Sequence, residues 1–265
     1  MPTMRSLIRI LRTPILCSLF LLAPVAPAFA ADQFPATVAK VKPGVVGIAT
    51  FQKTRTPIMM YRGTGFVVGD GLSVITNAHV LPAVLDLENR EQFGVVVGTG
   101  PAAGFRTAEV VGVDQEYDLA HLRLSGNPLP ALKLGDSSKV REGQSIAFTG
   151  FPLGMMLGPY HVTHRGMVSS ISPMALPQRK AGQLDPKTIA RLKQGPVTIF
   201  QLDGTAYPGN SGSPIYHPDS GEVLGVISMV RIKEAKEGSS ISQPSGISYA
   251  IPSNHVRMLL DQSRP

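Results

Sequence analysis

Short apolar runs recur along the chain and constrain its fold more than any other feature of the sequence. They are rich in Val, Ile and Leu and alternate with turn-forming residues, among 27 Gly and 23 Pro in 265 residues. Short strands at this spacing are typical of an all-β sandwich or barrel, and there is no regular alternation with long helical patterns that would indicate a parallel α/β fold. A first set of runs covers 45–51, 65–68, 73–76, 94–97, 108–113 and 119–124, and a second covers 145–149, 161–170, 197–202, 223–229 and 247–251.

The two sets are separated by a segment of turn-forming residues. Leu134-Gly135-Asp136-Ser137-Ser138 lies between them, which predicts a boundary between two lobes near residues 126–140. We expect the first lobe at about 36–130 and the second at about 140–252, followed by a C-terminal helix at about 253–262. Val256, Leu259 and Leu260 share one face of that helix.

A second helix is predicted within a long basic segment, residues 177–195. Asp185 is suited to the N-cap, Pro186 to the first helical position, and Gly195 to the end of the helix. The segment is either a solvated surface excursion or a regulatory, substrate-facing loop.

The first thirty residues have the pattern of a secretory signal peptide. Three basic residues, Arg5, Arg9 and Arg12, precede an apolar run at 15–23, and Ala28-Phe29-Ala30 resembles a cleavage site. The mature chain, 31–265, would then begin at Ala31 and be exported, to the periplasm or outside the cell. The alternative is an uncleaved anchor, but the run is shorter than the roughly 20 residues of a spanning helix, so we predict no stable membrane insertion.

The cysteine and charge content of the chain bears on disulfide bonds and on nucleic-acid binding. Cys17 is the only cysteine, lies within the signal and follows Leu16, where a lipoprotein signal has a small residue. The mature chain therefore has no disulfide. Without the three arginines of the signal, 22 basic and 18 acidic residues remain, and no dense basic run or nucleic-acid motif accompanies them. Nucleic acid is accordingly not a predicted partner.

A glycine-flanked serine is the first candidate for chemistry. Ser211 lies in Tyr207-Pro208-Gly209-Asn210-Ser211-Gly212-Ser213-Pro214. A serine hydroxyl attacks a carbonyl only when a base takes its proton, and the oxyanion that forms needs backbone donors. The amides of Gly209 and Ser211 are the candidate donors. Taken alone, the string fits any tight turn.

The candidate histidine follows the end of one apolar run, and the candidate aspartate precedes the start of another. His79 follows the run 73–76, and histidine has a pKa suited to a general base. Asp118 precedes the run 119–124, where a carboxylate can orient the imidazole, although Asp114 competes for that role. The order is histidine, aspartate 39 residues later and serine 93 residues after that, which is the chymotrypsin order. Two lobes would thus contribute to one cleft.

With these residues in place, the chain resembles the trypsin-like serine proteases, and most of all their Deg/HtrA-type branch. The resemblance covers the whole catalytic domain, and as a set its motifs are highly specific. It implies an all-β, chymotrypsin-like double six-stranded β-barrel, peptide-bond hydrolysis of polypeptide substrates through an acyl-enzyme, and no metal or organic cofactor. The matching segments are Gly63-Thr64-Gly65-Phe66, Thr76-Asn77-Ala78-His79-Val80, Asp118-Leu119-Ala120, Leu134-Gly135-Asp136-Ser137, Gly150-Phe151-Pro152-Leu153-Gly154, Gly166-Met167-Val168-Ser169, Pro208-Gly209-Asn210-Ser211-Gly212 and Tyr249-Ala250-Ile251-Pro252-Ser253.

The chain also departs from the family pattern. Ser213 stands where the family has a second glycine after the nucleophile, which adds a side chain beside the site. Asn210 replaces the aspartate that digestive trypsins pair with a newly cut N-terminus, so activation by that cut is not expected. About a dozen residues follow Pro252, so we do not expect the peptide-binding PDZ domain of many Deg/HtrA proteins. Whether the protein is a monomer or a trimer stays open.

The resemblance also implies a substrate pocket. It would be lined by Thr205, Ser228, Gly246 and Tyr249. Thr205 occupies the place where trypsin has an acid that binds Lys or Arg. We therefore expect preference for a small or medium apolar residue before the cut.

Three other interpretations of the sequence compete with an active trypsin-like protease. An α/β-hydrolase would use Ser211, Asp219 and His255 in that order, but its Gly-x-Ser-x-Gly elbow fails at Ser213. A non-catalytic binding protein on the protease fold would not need the full set of catalytic residues. A latent protease would become active only when its loops rearrange, and the segments 171–200 and 232–246 are candidates for that role.

Overall fold

The computed structural model describes residues 32–173, 198–228 and 247–263. The predicted signal peptide, the predicted helix at 185–195 and Gly246 lie outside the described residues. From residue 33 onward, the described residues form one compact unit.

The described strands form two closed antiparallel β-barrels. The first has the order β1-β2-β3-β6-β5-β4 and the second the order β10-β11-β12-β9-β8-β7. The prediction of an all-β, double six-stranded fold is therefore confirmed. Strands of the first barrel are β1 (Val45–Phe51), β2 (Met59–Val68), β3 (Ser73–Thr76), β4 (Gln92–Val97), β5 (Gly104–Asp114) and β6 (Leu119–Leu124). Those of the second are β7 (Ser145–Gly150), β8 (Val162–Pro173), β9 (Thr198–Asp203), β10 (Pro214–Tyr216), β11 (Val223–Ile227) and β12 (Ile247–Pro252).

In the described ranges, three α-helices accompany the barrels. They are α1 (Phe34–Val41), α2 (Gly154–Leu157) and α3 (Ser253–Gln262). The C-terminal helix α3 was predicted, and it buries Val256 and Leu259 as the spacing of its apolar residues requires. None of the helices in the described ranges has the length and apolar character needed to span a bilayer.

The helices α1 and α3 each contact the barrel formed by the other half of the chain. In α1, the Thr37 hydroxyl donates to the Asp219 carbonyl at 3.0 Å, in the second barrel. Directly after α3, Ser263 Oγ lies 2.7 Å from Nδ1 of His121, on β6 of the first barrel. Each barrel is thus covered partly by the helix that belongs to the other half of the chain.

The core consists of three apolar clusters. One fills the first barrel around Ile48, Val67 and Val74, and another fills the second around Phe148 and Phe200. The third lies between the barrels, and its buried members come from both of them and from α1 and α3. Because this shared cluster is continuous, the barrels are fixed relative to each other, and the cleft between them has a defined shape.

Candidate active site

The barrel topology brings His79 and Asp118 to one end of the first barrel. His79 lies in a single 3₁₀ turn, Ala78–Val80, directly after β3, and Asp118 directly precedes β6. Strands β3 and β6 are hydrogen-bonded neighbours, with Thr76 opposite Ala120. The end of one strand and the start of the other are therefore adjacent, although the two residues are far apart in the chain.

The three predicted triad side chains form one hydrogen-bonded chain. His79 Nδ1 lies 2.8 Å from Oδ2 and 3.0 Å from Oδ1 of Asp118. His79 Nε2 lies 2.9 Å from Ser211 Oγ. A carboxylate only accepts, so Nδ1 carries the proton and Nε2 is left to accept the serine hydroxyl hydrogen. This arrangement can draw the proton from Ser211 and hold a charged imidazole afterwards.

Asp118 is buried and held by several donors. Its φ of +54° lies in the left-handed region, which aspartate tolerates better than most residues. Its carboxylate accepts from the His79 amide at 3.0 Å and from Ser228 Oγ at 2.7 Å. Its carbonyl accepts from Asn77 Nδ2 at 2.8 Å. The backbone and side chain are both fixed, so the carboxylate can orient His79 without moving.

The turn before Ser211 presents two backbone amides. Gly209 has a φ of +100°, and a β-carbon there would lie 2.3 Å from the Phe151 carbonyl oxygen. The Leu153 amide donates to the Pro208 carbonyl at 2.7 Å, and in a trans peptide the next N–H, that of Gly209, points the opposite way. Within the described ranges, the amides of Gly209 and Ser211 donate to no acceptor. Both predicted oxyanion-hole donors are thus available to a ligand.

Thr64 connects the nucleophile turn to the first barrel. Its amide donates to the Ser211 carbonyl at 2.8 Å, and its hydroxyl donates to the Gly209 carbonyl at 2.7 Å. The same hydroxyl accepts from the Phe151 amide at 3.0 Å. Thr64 is fully buried, so these bonds are shielded from water. One residue therefore positions the serine, the glycine before it and the loop after β7.

Asn210 and Ser213 lie behind the turn and away from the cleft. Both are fully buried. A β-carbon at Gly150 would lie 2.1 Å from Ser213 Oγ and 2.8 Å from Asn210 Oδ1, so glycine at 150 leaves the space these side chains occupy. Although Ser213 departs from the family pattern, its side chain does not line an open pocket.

The four predicted pocket residues have different positions. Thr205 is partly exposed in the loop after β9, and Tyr249 is a half-buried residue of β12. Ser228 is fully buried, and its hydroxyl points to Asp118 as described above. Its side chain therefore contacts the triad, and its part in the substrate pocket stays a prediction. The remaining one, Gly246, lies outside the described residues.

Sequence reasoning had not assigned a role to Thr64 or to Leu153. Thr64 was visible only as the middle of a Gly-Thr-Gly string, in which small neighbours permit close approach of another backbone. A β-carbon on Gly63, for example, would lie 2.9 Å from the Ser211 carbonyl oxygen. Leu153 acts through its backbone amide, which its side chain does not reveal. No cluster of three or more His, Cys, Asp or Glu that could hold a metal occurs in the part of the chain described.

Comparison with known proteins places this site in a family. Residues 63–226 match the model of the trypsin-like peptidase domain. Human serine protease HTRA4 is 31% identical over 229 residues, which is 85% of this chain and 40% of that protein. A probable periplasmic serine endoprotease DegP-like from Halomonas elongata is 31% identical over 202 residues, 76% of this chain and 35% of that protein. The chain thus spans about two fifths of the length of these curated relatives.

Solved structures agree on the fold. The HtrA-type protease AlgW with a tripeptide superposes with a TM-score of 0.60 at 23% identity, over 86% of this chain and 62% of that one. AlgW with a decapeptide gives 0.61 at 21% identity, over 86% and 66%. The family match covers His79, Asp118 and Ser211, and the chain belongs to the trypsin-like peptidase domain family.

Proposed function

We propose that this protein is a serine endopeptidase that hydrolyses peptide bonds through an acyl-enzyme. The observation that carries the proposal is the continuous chain from Asp118 through His79 to Ser211 Oγ, with contacts of 2.8 and 2.9 Å. Its relatives include proteins named serine proteases, and AlgW is known in complex with a tripeptide and a decapeptide. Polypeptides are accordingly the proposed substrates, and export is supported by the periplasmic relative's name.

Each residue has a defined role in the proposed reaction. His79 Nε2 takes the proton of Ser211 as Oγ attacks the carbonyl carbon, and Asp118 stabilises the imidazolium. The amides of Gly209 and Ser211 bind the oxyanion of the tetrahedral intermediate. His79 then gives its proton to the leaving amine, and the acyl group stays on Ser211 until water, activated by His79, releases it. The residues alone supply this chemistry, without a cofactor.

A fluorophosphonate probe tests the proposal directly. The mature protein should be labelled, whereas Ser211→Ala and His79→Ala should not, because labelling needs both the nucleophile and its base. Absence of labelling in a folded wild-type protein would contradict an assembled triad and favour a latent or purely binding protein. Repeating the assay with candidate peptides present would separate those two.

The proposed specificity is for a small or medium apolar residue before the cut. No acid stands at Thr205, so a buried positive charge would be unpaired in the pocket. A digest of casein with mapped cleavage sites tests this expectation. Cuts after Lys or Arg would contradict it.

A further inference from the structure

A β-bulge in β2 lies next to the catalytic serine. Strand β1 pairs Ile48 with Gly63 and Ala49 with Tyr61, so Arg62 is the extra residue on β2. Bulges change the direction of a side chain and are common beside active sites. Gly63, the next residue, is in contact with the Ser211 carbonyl, as shown by the 2.9 Å that would separate its β-carbon from that oxygen. The bulge therefore directs Arg62 at the rim of the cleft.

The Arg62 guanidinium is held against the turn that carries His79. Its Nε donates to the Val80 carbonyl at 2.7 Å and its Nη2 to the Leu81 carbonyl at 3.1 Å. The residue is nevertheless exposed to solvent. A planar guanidinium fixed by two carbonyls loses little further rotamer freedom when it binds a ligand.

The charge of Arg62 is not neutralised by a neighbour. In the described ranges no carboxylate lies within 4 Å of its guanidinium, whereas Arg55 and Arg123 are both paired with acids. In the loop after Leu81, Glu91 binds Arg55 and Asp86 accepts hydrogen bonds from Asn89. An exposed, positioned and uncompensated cation is thus present beside the site.

The position of Arg62 relative to His79 decides which part of a substrate it faces. His79 protonates the leaving amine, so the residues after the scissile bond pass on the His79 side of the cleft. Val80 and Leu81, which hold Arg62, directly follow His79. Successive residues of an extended peptide are about 3.3 Å apart, so a long acidic side chain at the first or second position after the cut comes within reach of the guanidinium.

We infer that Arg62 selects substrates carrying Asp or Glu at the first or second position after the scissile bond. This inference rests on the proposed peptidase function and adds the substrate class on the leaving-group side. It attributes the preference to an electrostatic contact in an exposed setting, which is worth a few-fold in rate and is sensitive to salt.

Quenched fluorescent peptides test the inference. A casein-derived peptide with a small apolar residue before the intended cut is prepared with Glu, Ala or Lys at each of the two positions after it, and kcat/KM is measured. We expect Glu to be favoured over Lys by roughly fivefold at low salt, and the ratio to approach one at about 1 M salt. Arg62→Met should remove the preference, Arg62→Glu should invert it, and Arg62→Lys should keep most of it.

The matched control is Arg141→Met. Arg141 is an exposed arginine before β7, whose far end carries Gly150, about 20 Å away at the rise of a strand. This variant should keep the wild-type ratio. Melting temperature and the rate of fluorophosphonate labelling are measured for every variant. Slower labelling of Arg62→Met with an unchanged Glu-to-Lys ratio would mean that Arg62 only positions His79, and would overturn the inference.

A binding measurement separates this inference from the proposed function. Ser211→Ala cannot cleave, so its affinity for the same peptides reports selection without turnover. Tighter binding of the Glu peptides, lost in the double variant with Arg62→Met, supports the inference even if the wild-type protein neither labels nor cleaves. Equal binding of Glu and Lys peptides at low salt overturns it, whether or not the protein is a peptidase.

Discussion

The hydroxyl of Ser228 is a hydrogen-bond partner of the buried Asp118 carboxylate. Asp118 Oδ2 accepts from both His79 and Ser228, at 2.8 and 2.7 Å. A buried carboxylate depends on such donors, because few waters replace them. In the proposed reaction, the Asp118 carboxylate that stabilises charged His79 therefore also accepts a hydrogen bond from the fully buried Ser228.

Ser228→Ala should lower kcat roughly tenfold with little change in KM, because a hydrogen bond to a charged group contributes about 1.5–3 kcal/mol and only part of it is specific to the transition state. Steady-state kinetics on a casein-derived peptide measure both constants. Ser253→Ala is the control, since it removes a buried hydroxyl that donates to the Gly135 carbonyl at 2.8 Å, remote from the triad. A raised KM with unchanged kcat in Ser228→Ala would instead assign Ser228 to the substrate pocket.

Among the elements, the turn between β9 and β10 leaves no space for a side chain at Gly209. Gly209→Ala should reduce kcat/KM by at least about a hundredfold, the cost of losing one oxyanion donor. Its β-carbon would collide with the Phe151 carbonyl at 2.3 Å, and the peptide must move. Gly143→Ala is the matched control, because Gly143 also has positive φ but no atom within 4 Å of the added carbon. Equal activity of the two variants would contradict this explanation.

Some elements could be predicted from the sequence to the residue, and others could not. Strands β1, β3 and β6 match the predicted runs 45–51, 73–76 and 119–124, because almost every residue in them is buried. Strand β5 extends beyond the predicted 108–113, since the added residues include the polar Arg106, Thr107 and Asp114. Strand β10 was missed because it has only three residues and begins with proline. The local sequence carries too little signal for such a strand, and only its pairing with β7 and β11 defines it.

The same contrast holds for the site. His79, Asp118 and Ser211 could be proposed from residue type, order and setting, because catalysis needs those side chains. The contacts that hold them, such as Leu153 N to Pro208 O at 2.7 Å, use backbone groups that any residue carries. The N-terminal helix α1 was likewise not predicted, since it buries only Thr37 and Val41. Tertiary contacts, and not local propensity, account for these features.

For the whole molecule, buried histidines predict sensitivity to acid. Burial lowers the pKa of His121, His161 and His164 below the usual value near 6.5. The unfolded chain therefore takes up protons below about pH 6.5 that the folded protein does not, and stability falls as pH decreases from there. Backbone and side-chain hydrogen bonds and Arg55 lower the pKa of Glu91 to about 2. Glu91 therefore stabilises the folded protein at neutral pH, and this contribution is lost as the pH falls below its usual pKa near 4.5.

Urea unfolding between about pH 8 and about pH 5 measures this dependence. His164→Leu should reduce the slope by up to about 1.4 kcal/mol per pH unit, the contribution of one proton. A flat profile in this window for the wild-type protein would show that the three imidazoles titrate alike in both states.

Because α1 and α3 each contact the other half of the chain, the two halves should stay together when the chain is cut between the barrels. The connection after β6, residues 125–128, is exposed at every position. A cut there yields two fragments, each with a terminal helix that packs partly on the other fragment. Separating them would expose Val41 and Leu259 to water, along with the cluster between the barrels. The nicked protein should therefore persist as a noncovalent pair, with the triad divided between its fragments but still assembled.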